Sequence, residues 1–205
     1  RAAIESDLGT GVDVLFSEIS EPIAAASLAQ VHKAVVRETG QTVAVKVLRP
    51  GIERAFRRDV DAFYLAAWFI QTLSPRARRL KPLDVIEHFH SVVEGEIDLR
   101  MEASAAAEFR ANTLKDEGFA VPQVVWNLSS RREMTLDWAE GVRFGDIPAL
   151  RAQGVDFIDL SERVMQIFLK VALRDGFFHG DMHQGNLKLG PEGEIIALDF
   201  GIMGR

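Results

Sequence analysis

Three polar residues at fixed spacing constrain this chain more than anything else in it. Asp181 sits in the run His179-Gly180-Asp181, Asn186 follows five residues later, and Asp199 follows thirteen after that, at the head of Asp199-Phe200-Gly201. Phosphoryl transfer needs such a set. One carboxylate orients the attacking group, while an amide and a second carboxylate hold magnesium on the nucleotide. Each short run by itself is common in ordinary loops and strands; the three at these offsets are not.

The chain has 205 residues, 47% of them hydrophobic, which suffices for a core of one or two lobes. A net charge of −6 argues against general nucleic-acid binding. With no cysteine, disulfides, thiolate metal sites and a cysteine nucleophile are excluded, and a reducing compartment fits. No signal peptide is visible. The longest wholly apolar run is Ala62 to Ile70, nine residues, well short of the ~20 that a spanning helix needs. Arg1 opens inside a helix-like pattern, and the chain stops four residues past Gly201. A fragment truncated at both ends is the expectation.

Patterning predicts strand, loop, strand, strand over residues 23–48, with a turn at Glu38-Thr39-Gly40-Gln41 and period-two alternation from Thr42 to Leu48. A helix follows over 52–73. One long helix is expected from Pro82 to about Lys115, ended by Gly118. Strands are expected at 121–127 and 133–138 around Arg131-Arg132, and an amphipathic helix at 156–174. A hairpin closes the pattern: 186–189, a Gly190-Pro191-Glu192-Gly193 turn, and 195–198. The fold class expected is α+β and two-lobed, protein-kinase-like. Residues 1–139 form a small antiparallel-sheet lobe with long inserted helices. Residues 140–205 begin a mainly helical lobe that carries the acidic motifs, and the cleft between the lobes is the site.

Lys46 stands in an otherwise apolar strand and shares a face with Ala44 and Leu48. A small residue beside a lysine leaves room for a flat base and puts a cation near phosphates. The alternative is an edge lysine reaching out to water. A half-buried lysine needs a counter-charge, and the second long helix offers Glu94, Glu96, Asp98, Glu102 and Glu108. Asp98 and Glu102, four apart, are expected on one face turned to a cleft. Ala24-Ala25-Ala26-Ser27 lies where a nucleotide loop would run, although alanine Cβ atoms restrict close backbone approach. Leu136-Asp137-Trp138-Ala139-Glu140-Gly141 lies where a hinge would touch adenine through its backbone. Asp181 is the candidate for orienting a nucleophile, and Asn186 and Asp199 are the candidate magnesium ligands. His179 reads as a brace for the loop. A transition-metal site of His179, Asp181 and His183 is an alternative that leaves Lys46 and Asp199 unexplained.

Together these residues resemble the UbiB/ADCK family of atypical, protein-kinase-like proteins, over nearly the whole chain. Ala24-Ala25-Ala26-Ser27 resembles its alanine-rich loop, and Val43-Ala44-Val45-Lys46 its nucleotide lysine. Glu96-Ile97-Asp98 resembles its Glu-x-Asp motif, and Glu102 the helix glutamate that pairs with the lysine. His179-Gly180-Asp181 with Asn186 resembles its catalytic loop, and Asp199-Phe200-Gly201 its metal loop. The resemblance implies binding of ATP and Mg2+, with kinase or ATPase activity supporting ubiquinone biosynthesis. It implies catalytic roles for Asp181, Lys46 and Glu102, and nucleotide-site roles for Ala24, Ala25, Ala26, Ser27, Ala44, Asp137, Trp138, Ala139, Glu96 and Asp98. The family's Lys-x-Gly-Gln motif would lie upstream of Arg1, and bacterial members usually end in membrane-spanning helices. Gln184 stands where the family commonly has proline. A lipid or quinone-precursor ligand, other quinone-biosynthesis proteins and the cytoplasmic side of the bacterial inner membrane are the implied partners and location. The competing readings are a small-molecule phosphotransferase of the aminoglycoside or choline kinase type, and a non-catalytic nucleotide- or lipid-binding scaffold.

Independently of that resemblance, residues 49–81 hold eight basic residues against three acids, with Phe63, Tyr64, Trp68 and Phe69 between them. That composition suits a membrane surface or partner. A helix packed on the core with a solvated basic end is the other reading.

Overall fold

The computed structural model describes residues 2–25, 28–74 and 76–205. The chain opens with two short helices, α1 (Ala2–Leu8) and α2 (Val12–Leu15). Strands β1 (Phe16–Ala25), β2 (Ala29–Val36) and β3 (Thr42–Leu48) then form an antiparallel meander. Helices α3 (Ile52–Leu73), α4 (Pro82–Glu96) and α5 (Leu99–Thr113) come next, followed by β4 (Phe119–Ala120) and β5 (Glu133–Asp137). The strand β5 joins β3 and completes a sheet of order β1-β2-β3-β5. The remaining elements are β6 (Val142–Arg143), α6 (Ile147–Ala152), α7 (Phe157–Arg174), β7 (Phe178–His179), β8 (Leu187–Leu189), β9 (Ile195–Ala197) and β10 (Met203–Gly204). A second sheet has the order β4-β9-β8-β6, and β7 pairs with β10. The fold is α+β, as the patterning predicts, and protein-kinase-like, as the resemblance implies.

Alternation in β3 sorts its residues. Val43, Val45 and Val47 join Ile4, Val12, Phe16 and Leu128 in an outer hydrophobic cluster. Ala44 and Lys46 take the opposite, half-buried face. The larger cluster lies beyond that face. There Leu99, Ala103, Ala106 and Phe109 of α5 meet Phe119, Leu150, Leu187 and Phe200.

Three expectations need correction. The first strand begins at Phe16 rather than near Ile23. Pro22 reads as a breaker, but β1 is an edge strand with register irregularities around Pro22, where a residue without an N–H is tolerated. The long helix of 82–115 is two helices. Ile97 and Leu99 are both buried, yet residues two apart on one straight helix point ~200° away from each other. The chain therefore leaves helical geometry at Asp98 (φ −109°, ψ 94°), and the Leu99 N–H donates instead to the Arg131 carbonyl at 2.9 Å. Finally, 121–127 is not a strand. Pro122 supplies no N–H, so the segment meets β5 through a single bridge, Val124 to Leu136, and coils into a 3-10 turn over Trp126–Leu128.

Candidate functional site

The site forms where the face of β3 meets α5 and the loops around β8 and β9. On α5 the buried positions are Leu99, Glu102, Ala103, Ala106, Phe109 and Thr113, a helical stripe interrupted by one carboxylate. Lys46 resolves that interruption. Its Nζ lies 2.7 Å from Glu102 Oε1 and 2.8 Å from Oε2, and 3.5 Å from Asp199 Oδ1. Burial draws the Lys46 ammonium down, but the facing charges of Glu102 and Asp199 outweigh it, so its pKa is raised. Burial pushes the Glu102 carboxyl up, against the pull of Lys46. A buried pair of this kind is costly to break from one side, ~3–5 kcal/mol, because the remaining charge loses its counter-ion. Glu102 Oε1 also accepts the Phe200 N–H at 3.3 Å. One carboxylate therefore ties β3, α5 and the Asp199-Phe200-Gly201 loop together.

That loop is held in a definite conformation. Asp199 occupies the left-handed region at φ +58°, and its Oδ1 accepts the Gly201 N–H at 3.3 Å. Phe200 is buried against Phe109 and His179. The β8–β9 register sets Leu187 opposite Ala197, and Leu198 N donates to Asn186 O at 2.8 Å. The two ends of the hairpin thereby put Asn186 and Asp199 on the wall of one cavity.

His179 is buried and bridges both loops. Its Nδ1 accepts the Asp181 N–H at 3.1 Å, and its Nε2 faces the Leu198 carbonyl at 3.1 Å. This arrangement requires the neutral tautomer protonated at Nε2. Both ring nitrogens are occupied, so the transition-metal alternative loses a ligand. Among the described residues no group of three His, Asp or Glu side chains is placed to hold a metal. Asn186 Nδ2 donates to Asp181 O at 3.1 Å and to Asp181 Oδ2 at 3.4 Å. Its Oδ1 makes no hydrogen bond among the described residues.

The cavity holds about 290 Å³ and is walled by Ala24, Val31, Ala44 and Leu136, with Leu198 among its lining residues. Asp137, Trp138 and Ala139 line one edge of it. The Asp137 carboxylate turns away to accept from Gln41 Nε2 at 2.6 Å, and the Trp138 backbone N–H donates to Thr42 O at 3.2 Å. The Trp138 ring carries Lys33 Nζ at 4.6 Å and Lys188 Nζ at 5.0 Å from its centroid.

The model of the ABC1 atypical kinase-like domain matches residues 1–205. The chain belongs to that family. This ABC1 domain is 38% identical over 209 residues to the "Probable protein kinase UbiB" of Marinobacter nauticus, with all of the chain and 38% of that relative covered. The protein of the same name from Aliivibrio fischeri is 37% identical over 206 residues, with 98% of the chain and 38% of the relative covered. The chain thus spans well under half the length of these curated relatives. Among solved structures, Rv3197 of Mycobacterium tuberculosis, determined with erythromycin, superposes with a TM-score of 0.78 at 30% identity, covering 99% of this chain and 50% of that one. PpkA, in an apo form, shares the fold at a TM-score of 0.51 and 17% identity, covering 90% of this chain and 58% of that one.

Within the ABC1 domain the structure gathers Ala24, Ala44, Lys46, Glu102, Asp137, Trp138, Ala139, Asn186 and Asp199 at one cavity. Asp181 stands one step outside it, joined through Asn186. Ala25 ends β1 in register with Gln30, while Ala26, Ser27 and the Glu96 side chain lie outside the described residues. Asp98 does not line the cavity that holds Lys46, whereas Glu102 does. It caps α5 by accepting the Arg100 N–H at 3.1 Å and pairs with Arg100 Nη2 at 2.6 Å. Its side chain lines a neighbouring cavity, with Glu102, Phe200 and Gly201. Glu94 faces His90 at 3.6 Å on exposed α4, and Glu108 pairs with Arg205 at 2.7 Å.

Sequence reading missed Lys188. Its Nζ donates to the Ala139 carbonyl at 2.6 Å, an acceptor on that edge of the cavity, and burial followed by the Arg143 charge lowers its pKa. The signal was present in Leu187-Lys188-Leu189, where alternation turns the lysine away from the core. Its partner, however, lies 49 residues away.

Proposed function

We propose that this ABC1 domain binds ATP with Mg2+ in the cavity between residues 1–139 and 140–205 and acts as an atypical kinase or ATPase. The observation that carries this is the convergence of Lys46, Glu102, Asp199 and Asn186 on one cavity walled by small and aliphatic residues. The donor set fits Mg2+, a hard cation that takes oxygen ligands. The Asp199 carboxylate and the Asn186 amide oxygen would hold it, and the ion would neutralise charge on the phosphates. The chain's own residues do the rest. Lys46, positioned by Glu102, meets the α- and β-phosphates. Asp181, braced by His179, orients the acceptor hydroxyl or a water. Ala24, Ala44 and Leu136 enclose the base, and the backbone of 137–139 borders its edge. By the family resemblance, Ala25, Ala26, Ser27, Glu96 and Asp98 are assigned supporting roles in nucleotide binding.

By its likeness to proteins named UbiB, the role proposed is support of ubiquinone biosynthesis at the cytoplasmic side of a bacterial inner membrane. A lipid or quinone-precursor ligand, other quinone-biosynthesis proteins and a membrane surface reached through residues 49–81 are the partners. The test is Mg2+-dependent ATP hydrolysis by wild type and Asp199→Asn, together with complementation of a quinone-deficient strain by the parent protein and its Asp181→Asn form. Loss of hydrolysis in the first variant and of rescue in the second is expected. Equal rescue by wild type and Asp181→Asn would sink the catalytic reading.

A further inference from the structure

Helices α3 and α4 form an antiparallel hairpin joined through a 3-10 turn at Ala77–Leu80. Its two ends differ in what they touch. At the root, Ile52, Phe56 and Val93 pack on the main core. Phe56 and Phe63 meet Phe89 at ring distances of 6.3 and 6.0 Å, and Tyr64 meets His90 at 6.1 Å. With 22 residues, α3 carries the distal end ~33 Å from that root.

No charged residue occurs between Asp61 and Arg76. A helix lying in water keeps a polar face, but the distal half of α3 offers only Tyr64, Gln71 and Thr72 and no charge. Leu65, Trp68, Phe69 and Ile70 are each about half exposed, Leu73 is 77% exposed, and Leu80 in the turn is 75% exposed. On α4, Val85 adds to the same exposed end. A contiguous apolar surface of this kind marks an interaction site.

The turn beside it is cationic. Arg76, Arg78, Arg79 and Lys81 fall within six residues. Lys81 pairs with Asp84 at 3.1 Å, and Arg78 donates to an uncharged partner, the Gln71 carbonyl, at 2.9 Å. The other basic residues of the 49–81 stretch are elsewhere. Arg49, Arg54 and Arg57 gather with Glu53 and Arg132 at the root, and Arg58, in the same proximal half of α3, faces Asp59 at 3.8 Å. The tertiary structure therefore splits one basic stretch into two groups, and only the distal one adjoins exposed apolar side chains.

We propose that the distal end of the α3–α4 hairpin is a docking element for an anionic phospholipid surface. Trp68, Phe69, Leu73 and Leu80 seat at the boundary between headgroups and acyl chains. Arg76, Arg78 and Arg79 meet lipid phosphates. An aromatic and aliphatic tip flanked by arginines matches the layered chemistry of that interface. A second copy of this chain is a poorer occupant, since pairing two such tips would oppose two cationic turns. The proposal rests on, and narrows, the membrane contact proposed for residues 49–81; it uses no residue of the nucleotide cavity, so its failure leaves the proposed activity standing.

The test is flotation of the 205-residue chain with vesicles of phosphatidylcholine alone and with 30% phosphatidylglycerol. Binding is expected only to the anionic vesicles and should weaken as salt rises. Arg76→Glu with Arg78→Glu and Arg79→Glu should lower partitioning by at least about 100-fold. Trp68→Ser with Leu73→Ser, which leaves charge unchanged, should lower it at least about 10-fold. The matched reversal at the root, Arg54→Glu with Arg57→Glu and Arg58→Glu, should change it only a few-fold. Trp68 emission, read as the difference from Trp68→Phe, should be quenched by brominated lipid. Equal loss in the tip and root charge variants would overturn the assignment. So would absence of binding by wild type, or binding unchanged by the tip variants. Self-association abolished by Trp68→Ser with Leu73→Ser, without vesicle binding, would assign the face to a second copy instead.

Discussion

Lys46 Nζ stands 2.7 Å from Glu102 Oε1, and that single ammonium links the central strand to a carboxylate on the core-facing stripe of α5. Lys46→Met alone should cost about 3 kcal/mol, because Glu102 is left buried without a counter-charge. Lys46→Met with Glu102→Gln should recover most of that stability, since glutamine still accepts the Phe200 N–H and carries no charge. Neither form should bind a fluorescent ATP analogue. Thermal melts and analogue titration separate the two effects. Restored nucleotide affinity in the double variant would remove Lys46 from the site.

Lys188 holds the Ala139 carbonyl at 2.6 Å and stands over Trp138. Lys188→Met should free that carbonyl and change analogue affinity by about 3- to 10-fold, the scale of one charge-assisted hydrogen bond. Nucleotide binding should also perturb Trp138 emission, a signal absent from Trp138→Phe. An unchanged spectrum on saturation would place the base elsewhere.

Glu133 in β5 is 1% exposed, and neither carboxylate oxygen has a hydrogen-bond partner. Burial, with the Asp7 charge adding to it, pushes its pKa up to about 8. The folded chain therefore binds this proton more tightly than the unfolded chain, whose carboxyl titrates near ~4.3. Stability should fall as pH rises from about 5 to 8. A loss of a few degrees in Tm between pH 6 and 8 is expected, and Glu133→Gln should flatten that slope. A slope unchanged in the variant would assign it to other groups.

Asp116 lies between α5 and α7 and receives Arg174 Nη1 at 2.8 Å and Lys170 Nζ at 2.6 Å. The Arg174 hydrogen bond, with Lys170 assisting, lowers its pKa to about 2. This contribution is full above the unfolded carboxyl value of ~3.9 and is lost as pH falls toward 2. Arg174→Ala should cost about 2 kcal/mol and leave pairing to Lys170 alone. Urea titrations at pH 7 and pH 3 check it, and the gap between variant and wild type should shrink at the lower pH.

Gly141 follows the hinge at φ +132°, and a Cβ there would collide with the Leu189 backbone oxygen. Gly141→Ala should destabilise by about 3 kcal/mol or more, since both conformation and space are wrong. A melt within 1 °C of wild type would contradict the packing of the hinge on β8.

Much of this architecture is local and so was readable from the chain. Alternation along Thr42–Leu48 placed Ala44 and Lys46 on one face, because period two is a property of the strand itself. The spacing of Asp181, Asn186 and Asp199 was readable because a short hairpin fixes the distance between its ends. The helix expected over 156–174 was readable because its apolar periodicity is local; the structure adds that Asp156 caps α7 by accepting from Ile158 N and Asp159 N.

What no local pattern held was the choice among the acids of 94–108. Asp98 and Glu102 look equivalent on one continuous helix. They separate only because burying both Ile97 and Leu99 breaks that helix and spends Asp98 on its new N-terminus. The partner of Lys188 and the division of the basic residues of 49–81 into root and tip were likewise decided by tertiary structure. Both depend on contacts between segments distant in sequence. The sequence by itself determined which side chains could do chemistry. Only packing decided which of them meet, because burying a charge is tolerable solely where the fold delivers its counter-charge.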